Sequence, residues 1–330
     1  MYRSVSRAYR TAERHDGGRY GAPVTEIQEI GEPELPRFVA TMRAVSEETD
    51  TVEGFLDWRR QARETVWLLA TDDGRDVGAA IGIGGWHEPH GVARGELRVR
   101  AEARGAGLGS RLLATLSSWA GSLGYAELIG PVKETDEASL AWTGRRGFAE
   151  VGRNSRLVLD LTAVDEPAVE TPAGIELVTW AERPDLTEGM YTVAREAYSD
   201  VPGEEETEIA PFAEWLAMDM QGAGDRPEAT FVALAGEEVV AYAKLSLSLA
   251  RTTVAMHDMT GVRRAWRGRG IASALKAAEI AWAKRAGYER LETQNEERNE
   301  PIRRLNERYG YVVTPGSVTV RGPVATAGSA

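Results

Sequence analysis

The residues best suited to chemistry lie in Val262–Ala272, which reads V-R-R-A-W-R-G-R-G-I-A and joins a strand end to a helix through a glycine-rich turn. Gly268 and Gly270 carry no Cβ to block a ligand, so several backbone N–H groups at the helix start can converge on one anion. The chemistry on offer is phosphate binding. Ile271, Leu275, Ala278 and Trp282 follow at helical spacing before Gly287. A second copy stands upstream: Val99–Gly109 reads V-R-A-E-A-R-G-A-G-L-G, with Arg104 lying 163 residues before Arg267. The same offset pairs Trp282 with Trp119, Gly287 with Gly124, Leu291 with Leu128, Gly310 with Gly147 and Tyr311 with Phe148. Six anchors in one register indicate duplication.

The rest of the chain must position these two turns. With 330 residues and 42% apolar content it can bury two ordinary cores. A net charge of −12 argues against coating nucleic acid or an anionic membrane, so any anion site is local. There is no cysteine, which removes disulfides, thiolate ligands and a thiol nucleophile. No apolar run is long enough to span a membrane and the first residues lack a signal-peptide core, so a cytoplasmic protein is expected. His87 and His90 stand in H-E-P-H, which is not the spacing that aligns two imidazoles on a helix, and Pro89 favours a turn. No metal site is expected.

Residues 1–22 lack periodicity and read as a flexible extension. Residues 23–162 form the first domain, with helical patterns at Leu35–Val45 and Val52–Arg63 and strand patterns at Thr65–Ala70, Val77–Gly82 and Val92–Val99. The motif helix Arg104–Leu123 and a strand at Ala126–Val132 follow, so the strands on either side of that helix should run parallel. Asp136 caps a short helix, and Phe148–Leu161 supplies two closing strands. Residues 163–173 are a proline-containing acidic linker. Residues 174–322 repeat the order, with an acidic loop at Gly203–Glu208 and a final hairpin turning at Pro315 and Gly316; residues 323–330 read as a disordered tail. The fold class is α/β (α+β): two tandem domains, each with a mixed, mostly antiparallel sheet flanked by helices.

Both halves resemble the GNAT superfamily of acyl-CoA N-acyltransferases, and the tandem arrangement resembles the mycothiol synthase type. The superfamily's pyrophosphate pattern [Q/R]-x-x-G-x-[G/A] is matched by Arg267, Gly270 and Ala272, and by Arg104, Gly107 and Gly109. A Rossmann site lacks its G-x-G-x-x-G here, and a Walker A loop lacks its Gly-Lys-Ser/Thr. The resemblance implies a central parallel pair of strands splayed around acetyl-CoA or another acyl-CoA as co-substrate. The backbone of Gly261, Val262 and Arg263 would face the thioester, and Arg267, Gly268, Arg269, Gly270, Ile271 and Ala272 would hold the diphosphate. The matching positions in the first domain are Arg98, Val99 and Arg100, then Arg104, Gly105, Ala106, Gly107, Leu108 and Gly109. Asn295 and Asn299 match asparagines placed beside pantetheine, with a helix cap as the alternative for Asn299. The superfamily's frequent tyrosine acid falls on Asn306, which joins the implied coenzyme contacts, and on Thr143 in the first copy. Tyr309 has the period of a core residue instead.

An alkyl ammonium must lose a proton before it attacks, at a cost of about 4 to 5 kcal/mol at neutral pH, so a carboxylate or water relay is needed near the thioester. Asp258 and Glu292 are the candidates in the second domain, Glu96 and Glu134 in the first. The expected activity is acetyl transfer to a primary amine of a small molecule by direct attack, with the C-terminal copy catalytic. A non-catalytic acyl-CoA sensor and a peptide N-acetyltransferase are the alternatives. No nucleic-acid or membrane partner is expected, and the protein is expected to be a monomer or homodimer.

Overall fold

The computed structural model describes residues 25–85, 89–200, 209–296 and 300–324. The extension, His87, the acidic loop Gly203–Glu208, Asn299 and the end of the tail lie outside the described residues. Two compact units emerge, one of residues up to 132, 136–151 and from 319, the other of residues 133–135 and 152–318. The repeats at 23–162 and 174–322 are units of sequence; the compact units exchange the closing strand segments.

In the first unit β1 (Glu26–Glu29), β2 (Glu64–Asp72), β3 (Arg75–Gly84) and β4 (Val92–Val99) pair antiparallel in order. Helices α1 (Leu35–Arg43) and α2 (Val52–Gln61) bury Phe38 and Phe55 against Trp67 on one face. The crossover helix α3 (Leu108–Ser122) lays Leu108, Leu112 and Leu116 on the other, and β5 (Glu127–Lys133) returns parallel to β4. Gly82 permits this close packing, since a Cβ there would lie 2.5 Å from Trp119. Asp136 caps α4 (Glu137–Gly144) by accepting from the Ser139 N–H at 2.9 Å.

The second unit takes most of β6 (Ala149–Asp160), then β7 (Glu176–Thr179), α5 (Thr187–Tyr198), α6 (Phe212–Asp219), β8 (Asp225–Ala235), β9 (Glu238–Leu247) and β10 (Val254–Val262). The crossover helix α7 (Ile271–Arg285) leads to β11 (Arg290–Glu296), parallel to β10, followed by α8 (Glu300–Arg308) and β12 (Val312–Pro323). Its sheet runs β7-β8-β9-β10-β11-β6, with β6 antiparallel to β11.

The two closing strands expected in Phe148–Leu161 and the final hairpin are absent. Phe148–Leu161 holds one long strand, and Pro315–Gly316 lies inside β12 rather than at a turn. Gly316 is there for a close backbone approach, because a Cβ would stand 1.8 Å from the Asn154 carbonyl oxygen. Neither strand needs to fold back on itself: β6 finds its partner in β11, and the Thr319–Pro323 end of β12 lies beside β5, where Arg321 pairs with Glu127.

Candidate active site

Each parallel pair opens after three residues. Val92, Ala93 and Arg94 pair with Glu127, Leu128 and Ile129, and Val254, Ala255 and Met256 with Arg290, Leu291 and Glu292. Beyond them β4 continues along β3 and β10 along β9, so one edge of each strand loses its partner. An extended ligand chain can take that edge.

Below the opening the turn has one geometry in both halves. Gly105 and Gly107 hold φ of 80° and 80°, Gly268 and Gly270 φ of 73° and 86°, values only glycine adopts without strain. Gly107 and Gly270 are the N-caps, without a capping side chain. The first intrahelical bonds run from Arg111 N to Gly107 O and from Ala274 N to Gly270 O. The N–H groups of 108–110 and 271–273 are thereby left to a ligand. No atom lies within 4 Å of a Cβ built on Gly105, Gly107 or Gly268. Open space, turned-out amides and a helix N-terminus fit a diphosphate.

The motif arginines build this turn. Arg267 Nε donates to Val262 O at 2.9 Å and Arg104 Nε to Val99 O at 3.0 Å, each closing the loop over a short 3-10 turn. Arg267 also pairs with Asp200 at 2.6 Å, as does Arg264 at 2.7 Å. Hydrogen bonding from Arg264 first, then Arg267, outweighs burial and holds the Asp200 carboxyl down at about 2. Arg263 is tied to Glu196 and Glu238, and Arg269 stacks on Trp266 at 4.6 Å.

One part of the expected backbone contact is corrected. Arg263 N donates to Val240 O and Arg100 N to Val77 O, both at 2.9 Å. By the period of two, Gly261 and Arg98 also turn toward the neighbouring strand, and only Val262 and Val99 of each expected trio face the opening.

The halves diverge at the opening itself. Strand β10 shifts register between His257 and Met259, opposite the consecutive Leu245 and Lys244, so Asp258 is the extra residue of a β-bulge. Strand β4 pairs with β3 without a shift. The strand registers equate Val92–Arg94 with Val254–Met256, an offset of 162, and 163 applies only after the bulge.

The bulge aims Asp258 at Lys244, whose Nζ lies 2.8 Å from it and 2.8 Å from Asp225 and donates to the Asp219 carbonyl. Lys244 is 3% exposed; burial alone would lower its pKa, yet Asp258 and Asp225 raise it, so the ammonium persists beside half-exposed Asp258. Glu292 is different. Its carboxylate is 3% exposed and bound by Arg156 at 2.6 Å and Arg251 at 2.8 Å. Burial pushes its pKa up, but the two arginines prevail and hold it below the ordinary range. That makes Glu292 an ion-pair centre and a poor base, correcting its expected role. In the first copy, Glu96 pairs with Arg98 at 3.2 Å, and Glu134 falls in the second unit, bound to Arg153 at 2.7 Å.

Asn295 sits on β11 opposite Ser155. Asn306 is fully buried with both amide atoms unpartnered. Tyr309 is structural: its hydroxyl bonds Ser273 O at 2.9 Å and Ser273 Oγ at 3.0 Å. Among the described residues no group of three His, Asp or Glu is placed to hold a metal, and no helix is long and apolar enough to cross a membrane.

Two parallel strand pairs that part above a glycine-lined helix start define an acyl-carrier-dependent transferase fold in tandem. The chain belongs to the acetyltransferase (GNAT) family, whose model matches residues 26–148 and again 187–311. It is an acyl-CoA-dependent N-acetyltransferase. Among solved structures it is similar to a GCN5-related N-acetyltransferase from Sphaerobacter thermophilus, with 22% identity, TM-score 0.71 and coverage of 91% of this chain and 96% of that one. A tandem GNAT protein from the clavulanic acid biosynthesis pathway gives 20% identity, TM-score 0.73 and coverage of 92% and 100%. A glucosamine N-acetyltransferase region of a fungal multi-domain β-N-acetylglucosaminidase gives 16%, 0.67, and coverage of 91% and 38%. No curated protein matches the chain in sequence.

Proposed function

We propose that the C-terminal half transfers the acetyl group of acetyl-CoA to the primary amine of a small molecule by direct attack on the thioester, while the N-terminal half binds acyl-CoA without performing the transfer. The bulge at Asp258 carries this reading. In this reading the half-exposed Asp258 side chain receives the acceptor's ammonium and takes its first proton; the N-terminal strand pairs without a register shift and has no inserted residue. Amides of 271–273 hold the diphosphate, each charge-assisted bond contributing about 1.5 to 3 kcal/mol. The backbone N–H and C=O of Val262 pair with pantetheine in this reading.

The test is thiol release from acetyl-CoA against a panel of amines that includes an amino sugar, an arylalkylamine, a polyamine and a basic peptide. Gly270→Glu abolishes turnover in this reading, while Gly107→Glu does less. The reverse ranking overturns it, and acetylation of the peptide alone would move the acceptor class to peptides. Gly107 and Gly270 hold φ of 80° and 86°, and a Cβ on Gly270 would make only an ordinary contact with Pro172 at 3.7 Å, so backbone strain is matched between the variants.

A further inference from the structure

The face of β4 that looks toward α1 and α2 leads into a pair of arginines that the glycine turn does not use. Register with β3 sets Glu96 opposite Ile81 and Arg98 opposite Ala79, both of which belong to the core under α1 and α2. Leu97 and Val99, which alternate with them, pack into the other core, against α3. Arg100 follows Arg98 by two residues in an extended conformation, with φ −57° and ψ 146°. The two side chains therefore leave the chain on one face, about 6 to 7 Å apart at Cα. Both residues lie past Arg94, on the stretch of β4 that has parted from β5.

Neither guanidinium is satisfied. The Arg98 side chain is 23% exposed and Arg100 is half-buried, and Nε of each is shut off from water without an acceptor. Arg98 Nη2 donates to Glu96 at 3.2 Å, longer than a well-formed charge-assisted bond. Among the described residues no acid pairs with Arg100. A charged N–H that water cannot reach and that lacks an acceptor is destabilising, so such a group in a native chain points to a partner.

The C-terminal half has closed the same place. Gly261 stands for Arg98, and a Cβ on it would already touch Val193 and Ala197 of α5 at 3.1 Å. Arg263, which stands for Arg100, is tied to Glu196 and Glu238, and Met259 stands for Glu96. The shared fold thus requires neither a side chain at Arg98 nor an uncompensated Arg100.

We propose that Arg98 and Arg100 bind the carboxylate of a small anionic molecule, as a ligand of the N-terminal half distinct from acyl-CoA. The Nε–Nη edge of a guanidinium presents two parallel donors that match the two oxygens of a carboxylate, and a turn of the side chain brings that edge to the ligand. Glu96 already lends Arg98 a carboxylate, in strained reach from its own strand. The chain as a whole carries −12, so an anion is repelled from most of its surface and drawn to this pair. The site requires no acyl transfer and stands whichever half is catalytic.

Calorimetric titration of the full chain with succinate, at constant ionic strength, tests the site. The parent is expected to bind succinate saturably, and Arg98→Met with Arg100→Met to weaken binding by about tenfold or more. Glu96→Gln removes the competing carboxylate and keeps both arginines, so it is expected to tighten binding by about two- to fivefold, the worth of a partly exposed ion pair. That arm keeps the test decisive where the double variant fails to fold. The absence of saturable binding in the parent overturns the site, as does parental affinity in a folded double variant or in Glu96→Gln. Saturation by inorganic phosphate with none by succinate overturns the carboxylate assignment. The titration contains no acetyl-CoA, so its failure is separate from any reversal in the ranking of Gly270→Glu and Gly107→Glu.

Discussion

At the start of the motif helix Gly105 and Gly107 reproduce the backbone of Gly268 and Gly270, and Arg104 closes its loop on Val99 as Arg267 does on Val262. Along the strand that leads into the turn, the copies differ before the shared Val99 and Val262. The C-terminal strand has an inserted Asp258, then Met259 and Gly261, where the N-terminal strand has Glu96 and Arg98 in an ion pair. Below it, ionisable side chains stand where the N-terminal core has leucines and Phe148. The contrast separates two tasks. The glycine turn suited to an anion keeps its backbone geometry in both copies, whereas the side chain proposed to act in the transfer stands in one of them.

The sharpest way to break the comparison is to remove the inserted residue. Deleting Asp258 gives β10 the eight-residue length of β4 and is expected to cut kcat/KM for a cationic amine by about 10²- to 10³-fold, the range seen when a preorganised polar group is lost. Acetyl-CoA binding by calorimetry should persist, because the cradle lies beyond the strand. Asp258→Asn should lose less and leave the fold intact, since Lys244 keeps Asp225 and the Asp219 carbonyl. A deletion variant that transfers normally would remove the functional distinction between the halves.

Next in size is Glu292, which the strand register equates with Ile129. Glu292→Ile imports the apolar residue but takes a buried carboxylate away from Arg156 and Arg251. Breaking a buried pair from one side costs about 3 to 5 kcal/mol, and the partial exposure of both arginines reduces that to about 2 to 3 kcal/mol. Urea denaturation should show this loss. An unchanged midpoint would mean that the two ion pairs contribute nothing net.

Much of the fold was legible because periodicity and glycine placement report local backbone. The motif helices, the parallel pairs and the Asp136 cap follow from apolar spacing, Gly268/Gly270 and a side chain that caps its own helix. The closing strands were not, because Phe148–Leu161 and Val312–Pro323 find partners far away in sequence and a proline-glycine pair marks a hairpin only when the strand turns back. In the site, the glycine turn at each helix start was readable and the bulge was half-readable. V-A-R-G-E-L-R-V against V-A-M-H-D-M-T-G-V differs by one residue, but a constant offset of 163 conceals it. The cluster of His257, Lys276, Glu279 and Tyr311 gave no sequence signal, since charged residues at those helical positions read as solvent-facing until the sheet covers them.

Gly107→Ala and Gly270→Ala probe what the halves share. Each forces a Cβ into the left-handed region without a steric clash, so each should cost about 1 to 2 kcal/mol, equally in both copies. A marked inequality in urea midpoints would show that one cradle is held more rigidly than the other.

The smallest effect concerns charge beside the C-terminal cradle. Asp200 compensates Arg264 and Arg267. Its pKa falls from 3.8 to about 2 on folding, so its contribution to stability is complete above the unfolded value and disappears as pH drops through about 2. Partial exposure limits that contribution to about 1 kcal/mol. Asp200→Asn should therefore melt a few degrees lower than the parent at pH 7, and the two curves should converge between pH 4 and 2. The same variant unmasks two guanidinium groups next to the diphosphate amides, so acetyl-CoA should bind a few-fold tighter at low salt, with the gain fading as ionic strength rises. Tighter binding combined with lower stability would mean that the C-terminal cradle trades affinity for a fixed loop; weaker binding would show that the loop's shape, which Asp200 maintains through Arg267, matters more than its charge.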